Sequence, residues 1–500
     1  MARTALPHFL RLLESTRIRR IPAFVFSIGL LLRALPEFLT GPYPVGYDVL
    51  VGYLPSLQRF PDVAVLRLFG WIWAPLGLCL MWVLSLFSFG HIYLFLKIFG
   101  PLLYGCLAVS FYLLVRAALH LGRRESLAAS LVFLMQPATL RIGWDQFREE
   151  LGLFFFFILL AQIGGDFVEG SRKKPWLVLG LALLIVLSHE LVSVLLFVVL
   201  SWQIASSLLA RQNVTRTLSV ILPAMSVFAA QICGELVDLP AFSNNLKPMV
   251  GLTPVRITNY LAGPPFGAND YSSLVLAMIS LAFYVLVPVL PLGVLGYFRE
   301  KVFLPLVIWL LIGSFDIVGL PRFGIPYFWW WLLLLPIPLT AYAGRGFQRL
   351  KVFSVPNRFG LGIVLLALLA VVSVGYCTST IHLGYPNAYA YMPSSLVESA
   401  VKSSDISSIE LALSWCNRNI PPNSLLIVPE NFEGFAATDS RPDLLVRVAP
   451  PTLDLGEALN GYPISGLTFA VYYSNELGIA PVSLLASFSD IGVYNVTAIA

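Results

Sequence analysis

The sequence predicts an all-α polytopic membrane bundle followed by a small C-terminal α/β or α+β domain. Composition is the first indication: 58% of the residues are hydrophobic, 12% are charged and the mean hydropathy is +0.81, whereas soluble domains carry roughly 25% charged residues. The second is length, because apolar runs that can cross about 30 Å of hydrocarbon as helices recur from Ile21 to Cys377. Such spans must be helical, since backbone groups in lipid have to hydrogen-bond within their own segment.

Clusters of Lys and Arg separate the apolar runs and predict their orientation. By the positive-inside rule, they place the N-terminus in the cytoplasm and the C-terminal tail outside the plasma membrane. We predict about eleven spans, near residues 21–40, 92–118, 125–141, 151–168, 175–188, 190–210, 217–236, 271–297, 302–320, 326–343 and 359–378. The spans 125–141 and 175–188 are short, so we expect them to be packed inside the bundle or bent.

Ala74–Phe89 is apolar but too short for a span, and a span there would place Arg123 and Arg124 outside. We expect it to be an amphipathic or partly inserted helix at the outer surface, within a long first outer loop, 41–91. This loop belongs to the predicted transmembrane domain, 1–378.

The C-terminal tail, 379–500, differs in composition from the rest of the chain. It carries 11 acidic and 4 basic residues, and its length is enough for one small domain. Helical and strand patterns occur at Ser407–Asn419 (helix) and at Ser424–Pro429, Leu467–Tyr473 and Ile491–Ala498 (strands). We predict an extracytoplasmic domain that covers the outer face of the bundle.

Asp48 is the only carboxylate in the turn-rich loop Gly41–Tyr53, at the outer end of the first predicted span. Such a carboxylate can accept a proton from a hydroxyl, or bind a cation beside a phosphate. Tyr47 and Tyr53 are candidates for positioning an acceptor. The alternative is an ordinary solvated aspartate, with the tyrosines forming an interfacial aromatic belt.

A second charged cluster, Asp145–Glu150, precedes the apolar run Leu151–Phe157. If the cluster is helical, Asp145 and Glu149 share a face at i, i+4, and Arg148 lies beside Asp145 at i, i+3. Arginine and carboxylates together suit a phosphate group, bound directly or through a divalent cation. The alternative is a helix N-terminus stabilised by acids, which explains Glu149 and Glu150 but not Arg148.

Two further outer positions carry candidate residues. His189 and Glu190 are adjacent between two spans, and ionisable groups at membrane depth are functional candidates by default, although a lone histidine is more often a structural hydrogen-bonding group. Arg322 is the only basic residue of its outer loop. It could bind a lipid phosphate, or simply extend to the headgroups.

These features resemble the GT-C membrane glycosyltransferases, which include protein mannosyltransferases, aminoarabinose transferases and oligosaccharyltransferase catalytic subunits. Gly46-Tyr47-Asp48 stands where the family has its first acidic motif, and Ala74–Phe89 where it has a surface helix. Asp145, Arg148 and Gly152 match the second acidic motif, and Ser188-His189-Glu190 matches a later polar turn. Residues 415–424 resemble the opening of the outer domain that many members carry.

The resemblance implies an inverting transfer of a sugar from a polyprenyl-phosphate donor to a lipid, glycan or protein acceptor on the outer face. Asp48 would be the catalytic base or would orient the acceptor. Asp145, Arg148, Glu149, His189, Glu190 and Arg322 would bind the donor phosphate, directly or through Mg²⁺ or Mn²⁺ at Asp48 and Asp145. The first motif has one acid where many members have two, which weakens the metal hypothesis. A WWDYG-type motif is missing, which favours transfer of a single sugar.

Two other classes of function remain open at this point. A transporter or flippase should carry broken polar spans near the membrane midplane, often in two corresponding halves, whereas here the charge collects at one surface. A membrane anchor with a functional tail is the third possibility. Membrane lipids are expected partners and nucleic acids are not, and the five scattered cysteines predict neither disulfides nor a zinc site.

Overall fold

The structure is a computed structural model that describes residues 16–39, 41, 43–46, 48–58, 75–88, 90–236, 278–279, 282–283, 285–287, 289–298, 300, 302–319, 328–350, 358–378, 405–429, 432–449, 467–474 and 483–497. Before residue 379 the α-helices are α1 (Thr16–Leu39), α2 (Leu54–Gln58), α3 (Leu76–Ser85), α4 (Ile92–Ala117), α5 (Arg123–Met135), α6 (Pro137–Asp145), α7 (Phe147–Ile163), α8 (Phe167–Lys173), α9 (Pro175–Ser188), α10 (Glu190–Leu209), α11 (Thr215–Leu236), α12 (Leu290–Gly296), α13 (Phe303–Gly319), α14 (Phe328–Leu334), α15 (Pro336–Leu350) and α16 (Arg358–Cys377). A π-helical turn, Val49–Tyr53, leads into α2.

Four of these helices, α1, α4, α10 and α11, contain stretches long and apolar enough to cross a membrane. The pairs α5–α6 and α7–α8 reach that length only together, and they bend by 62° and 76° where they join. The described part of the chain therefore offers four to six spans by length and composition. A mostly helical multi-pass membrane protein with a small sheet is confirmed, whereas the number eleven is not.

The bends occur at residues that cannot continue a helix. Gln136 is extended (ψ 124°) because the following Pro137 disfavours a helical conformation, so the short segment 125–141 is bent. The predicted span 151–168 ends early, at Ile163, because Gly164 and Gly165 adopt positive φ angles of 65° and 78°. The predicted span 326–343 is likewise divided, with α15 starting at Pro336.

Aromatic residues and glycines hold the bundle together. Phe111 of α4 stacks on Phe133 of α5 with ring centroids 4.2 Å apart, and Phe157 of α7 meets Phe111 edge-on at 5.5 Å. Helices α12 and α15 cross where a Cβ at Gly296 or Gly346 would overlap backbone atoms of the other helix. Such small residues allow the close helix approach that is common in membrane bundles.

The C-terminal part contains α17 (Ile406–Asn419), β1 (Leu425–Pro429), α18 (Glu433–Asp439), β2 (Leu445–Ala449), β3 (Thr468–Tyr473), β4 (Ser483–Phe488) and β5 (Ile491–Asn495). The strands form one sheet in the order β2-β1-β3-β5-β4. β1 is parallel to β2 and to β3, with Leu425 opposite Leu445 and Thr468, while β5 runs antiparallel to β3 and β4. The helix and three strands expected from the sequence are present within one or two residues, except that residue 498 lies outside the described part.

The C-terminal part packs on the loop that follows α1. The Tyr43 hydroxyl donates to Asp439 Oδ2, and the Tyr93 hydroxyl donates to Asp439 Oδ1 at 3.3 Å. Burial raises the pKa of Asp439, and the two tyrosine hydrogen bonds partly oppose that shift. Gly434 of α18 lies against the backbone of Leu50. These contacts lie within a few residues of Asp48, so the sheet domain is connected to the candidate site.

Candidate active site

Asp48 lies between α1 and the π-helical turn. Gly46, with φ of 118°, supplies the left-handed turn that glycine adopts freely, and its carbonyl accepts from Leu50 N–H at 3.1 Å. The carboxylate is half-buried and its Oδ2 accepts a hydrogen bond from Gln146 Nε2. Burial raises the pKa of Asp48, while the charge of Arg141 and the Gln146 hydrogen bond act in the opposite direction. Asp48 is thus not an ordinary solvated loop aspartate.

The chain breaks its helical path at Gln146, where φ is −104° and ψ is 54°. Asp145 is the last residue of α6, and α7 begins at Phe147, so the i, i+4 pairing of Asp145 with Glu149 on one continuous helix is wrong. The break turns the Gln146 side chain toward Asp48. The side chain of Asp145 lies outside the described part of the structure.

Arg148, His189 and Glu190 come together as a group. Arg148 Nη2 pairs with Glu190 Oε2 at 3.2 Å, and His189 Nε2 lies 3.8 Å from Glu190 Oε1. His189 joins α9 to α10, as the predicted turn requires. A Cβ at Gly152 would come within 3.3 Å of His189 Cβ, so this glycine permits the close approach of α7 to the turn.

Tyr53 and α3 fix Arg148 from the side of the first outer loop. The Tyr53 hydroxyl accepts from the Arg148 backbone N–H at 3.3 Å, and its ring stacks on Phe147 at 5.4 Å. A Cβ at Gly77 of α3 would lie 2.8 Å from Arg148 Cγ. The helix expected near 74–89 is therefore present at Leu76–Ser85 and covers Arg148.

Glu149 and Glu150 are fully buried. Among the described residues, neither carboxylate accepts a hydrogen bond. The charged neighbours that act on Glu149 are Glu190 and Arg141, and those that act on Glu150 are Arg33 and Glu149. Both acids occupy the first turn of α7, where the helix dipole favours them, and each also feels the charge of a buried arginine, Arg141 for Glu149 and Arg33 for Glu150.

Sequence reasoning missed Arg33 and Arg141. Both are buried, and both fall inside predicted spans, where an ionisable side chain is itself a functional signal. Arg141 is on α6 and acts electrostatically on Asp48 and Glu149, whereas Arg33 hydrogen-bonds the end of α6. Tyr47 and Arg322 lie outside the described residues, and their roles stay predictions.

The Mg²⁺ or Mn²⁺ site expected at Asp48 and Asp145 stays a prediction, because the side chain of Asp145 lies outside the described residues. No group of three or more His, Cys, Asp or Glu side chains within them could hold a metal ion. Mg²⁺ is usually bound through one or two carboxylates and keeps several waters; of the expected pair, the carboxylate of Asp48 is described, and its Oδ2 accepts from Gln146. No chemical step is therefore assigned to a metal.

Comparison with solved structures identifies the fold. The chain is similar to ArnT from Cupriavidus metallidurans bound to undecaprenyl phosphate, with 13% identity and a TM-score of 0.52 over 97% of this chain and 99% of ArnT. It is also similar to the apo state of that ArnT (13% identity, TM-score 0.47, 96% and 98% coverage). Arabinofuranosyltransferase AftD from Mycobacteria matches at 15% identity and a TM-score of 0.49 over 96% of this chain.

The chain spans about 40% of the length of AftD and nearly all of ArnT. No protein-family model matches the sequence, and no curated protein does. The ArnT match over the full length of both chains shows a shared fold. The chain therefore shares the fold of this ArnT, which confirms the fold expected from the resemblance inferred from the sequence.

Proposed function

We propose that this protein is a membrane glycosyltransferase that moves one sugar from a polyprenyl-phosphate-linked donor to a lipid, glycan or protein acceptor. The observation that carries the proposal is the placement of Asp48. Its half-buried carboxylate follows the first long helix, is bound by Gln146 and lies in the field of Arg141. The GT-C fold and the undecaprenyl phosphate bound by ArnT support the class of donor.

Asp48 acts in this proposal as the general base. It takes the proton from an acceptor hydroxyl while that oxygen forms a bond to the anomeric carbon of the donor sugar. The bond between the anomeric carbon and the phosphate oxygen breaks, with inversion, and the polyprenyl phosphate leaves with the bonding electron pair. Because burial raises the pKa of Asp48, its carboxylate is a stronger base than a solvated one.

Arginines supply the positive charge that the leaving phosphate needs. Arg148 is held by Glu190 at 3.2 Å and by Tyr53 through its backbone, so its guanidinium is preorganised. Preorganised charges lower the barrier because they need no reorientation as negative charge develops on the phosphate. Arg141 adds a second positive charge beside Asp48. We place this site at the outer face of the plasma membrane, with a cytoplasmic N-terminus and an extracytoplasmic C-terminal domain.

The test is sugar transfer by purified protein in lipid nanodiscs that contain radiolabelled undecaprenyl-phosphate sugars. General acid–base catalysis contributes about 10²–10⁴-fold, so Asp48→Asn should lower the turnover by that factor. Asp490→Asn is the matched control, because Asp490 is an exposed turn residue of the sheet domain. Full activity of Asp48→Asn would refute its role. Movement of the lipid-linked sugar across the bilayer of sealed proteoliposomes, without transfer, would instead indicate a flippase.

A further inference from the structure

Asp48 and Gln146, which share a hydrogen bond, come from segments that are distant in the sequence. A network of three charged residues, Arg33, Glu37 and Lys97, contacts both segments. Arg33 lies in the C-terminal half of α1 and is fully buried. Its Nε donates to Gly143 O at 2.8 Å, and its Nη2 donates to Trp144 O at 3.3 Å. The break at Gln146 leaves these carbonyls at the end of α6, where intrahelical partners are lacking. Arg33 thus binds the segment that carries Gln146.

Glu37 connects the same arginine to the loop that carries Asp48. Its Oε1 pairs with Arg33 Nη1 at 2.7 Å, and its Oε2 accepts from the backbone N–H of Val45 at 3.0 Å. The Glu37 carboxylate thereby binds both Arg33, which holds the end of α6, and the loop that carries Asp48. A carboxamide in its place would have a single acceptor oxygen and could keep only one of the two contacts.

Lys97 of α4 fixes the start of the loop. Its Nζ donates to the backbone oxygens of Glu37 at 2.5 Å and of Gly41 and Tyr43 at 2.9 Å each, and lies 3.7 Å from Glu37 Oε2. Three carbonyls on one ammonium group set the direction in which the chain leaves α1. The loop therefore reaches Asp48 along a defined path.

The packing of α4 makes room for this network. A Cβ at Gly100 would lie 3.0 Å from the ring of Phe147 and 3.1 Å from Arg33 Nη2. Any side chain there would displace both the arginine and the first residue after the break. The absence of a side chain at Gly100 thus leaves room for Arg33 as well as for the ring of Phe147.

We propose that Arg33, Glu37 and Lys97 are positioning residues that hold the carboxylate of Asp48 against Gln146. The catalytic consequence rests on the proposed function, whereas the positioning itself does not. Loss of one contact should release the loop 41–58 and lower kcat through a misplaced base. The donor should still bind, because Glu190 pairs with the Arg148 guanidinium and Gly77 of α3 packs against it, and neither contact comes from this loop.

The experiment combines hydrogen-exchange mass spectrometry of the reconstituted full chain with the transfer assay. Glu37→Gln and Lys97→Met should each raise amide exchange in peptides from 41–58 at least tenfold, and should lower kcat at least tenfold with little change in KM. Lys97→Arg keeps the positive charge, so it should recover a large part of the wild-type amide protection at 41–58 and of the wild-type kcat. Glu169→Gln and Lys173→Met are matched controls, since this exposed i, i+4 pair lies outside the network.

The outcomes separate the two proposals. Unchanged exchange at 41–58 in both variants, or an equal increase in the controls, overturns the positioning role whatever the activity. A rise in KM at constant kcat also overturns it. If the wild-type protein transfers no sugar but the exchange responds as expected, the positioning holds and the proposed function fails. If Glu37→Gln does not fold, Lys97→Met decides, because the lysine is only half-buried.

Discussion

Replacing Gly434 with alanine should loosen the segment that carries Asp48 from a distance. Gly434 lies in α18 of the sheet domain, and a Cβ there would be 2.7 Å from the carbonyl carbon and from the Cβ of Leu50. Two of the three nearest atoms are backbone atoms, so no change of rotamer removes the clash. Leu50 follows Asp48 by two residues, which means that the domain or the loop must move.

Two opposing contributions determine how much Gly434→Ala changes the free energy of opening. Overpacking of a filled contact costs about 1–3 kcal/mol, whereas alanine gains up to about 1 kcal/mol over glycine from its helix propensity. Gly180→Ala is the matched control, since Gly180 is in a helix and a Cβ there meets no atom within 4 Å. The difference between the two variants isolates the steric term, and 1–3 kcal/mol corresponds to about 5- to 150-fold in an opening equilibrium.

Hydrogen exchange of peptides from 48–58 and 432–439 measures this opening. We expect exchange in both peptides to quicken in Gly434→Ala, by less than that factor because the helix propensity of alanine offsets up to about 1 kcal/mol, and to stay unchanged in Gly180→Ala. Transfer activity should fall in the first variant alone. Equal exchange in the two variants would refute the view that the sheet domain supports the loop of Asp48.

Three other variants probe the site directly. Gln146→Leu removes a hydrogen bond that lowers the pKa of Asp48, so the acidic limb of kcat/KM should move to higher pH, and a shift to lower pH or none would contradict a base at Asp48. Arg148→Met should lower kcat/KM for the donor about 10- to 150-fold, as expected for a charge-assisted hydrogen bond of about 1.5–3 kcal/mol, and Arg172→Met should not. Tyr53→Phe should cost about 1 kcal/mol of unfolding free energy and Tyr53→Ala about 3–5 kcal/mol; equal losses would contradict the stacked ring as the main contribution.

The segments that contribute to the site could be predicted, because each is marked by residues that are close together in the sequence. Asp48 stands out as a lone carboxylate in a loop of Gly, Pro and Tyr, and His189 interrupts two long apolar runs. The short helix at Leu76–Ser85 follows from an apolar segment that is too brief for a span. Each of these depends on residue type and segment length, which the sequence states directly.

The contacts that complete the site could not be predicted, because they join distant segments. Gln136 is marked as a break by the proline that follows, but Gln146 has no such neighbour, and its side chain hydrogen-bonds Asp48 from a segment 98 residues away. Two of the partners of Arg33 are backbone carbonyls 110 and 111 residues away. Strands β2 and β4 form the two edges of the sheet, and β4 is largely exposed, so neither carries the buried run that identifies β1.

A structure of the protein with undecaprenyl phosphate bound tests the proposed site most directly. Density for the phosphate should lie within hydrogen-bond distance of the Arg148 guanidinium, and on the same side of the bundle as the Asp48 carboxylate. The Asp48–Gln146 hydrogen bond should persist in that complex. Phosphate density elsewhere in the bundle, or a wide separation of Asp48 from Arg148 in the complex, would contradict a glycosyl transfer site at these residues.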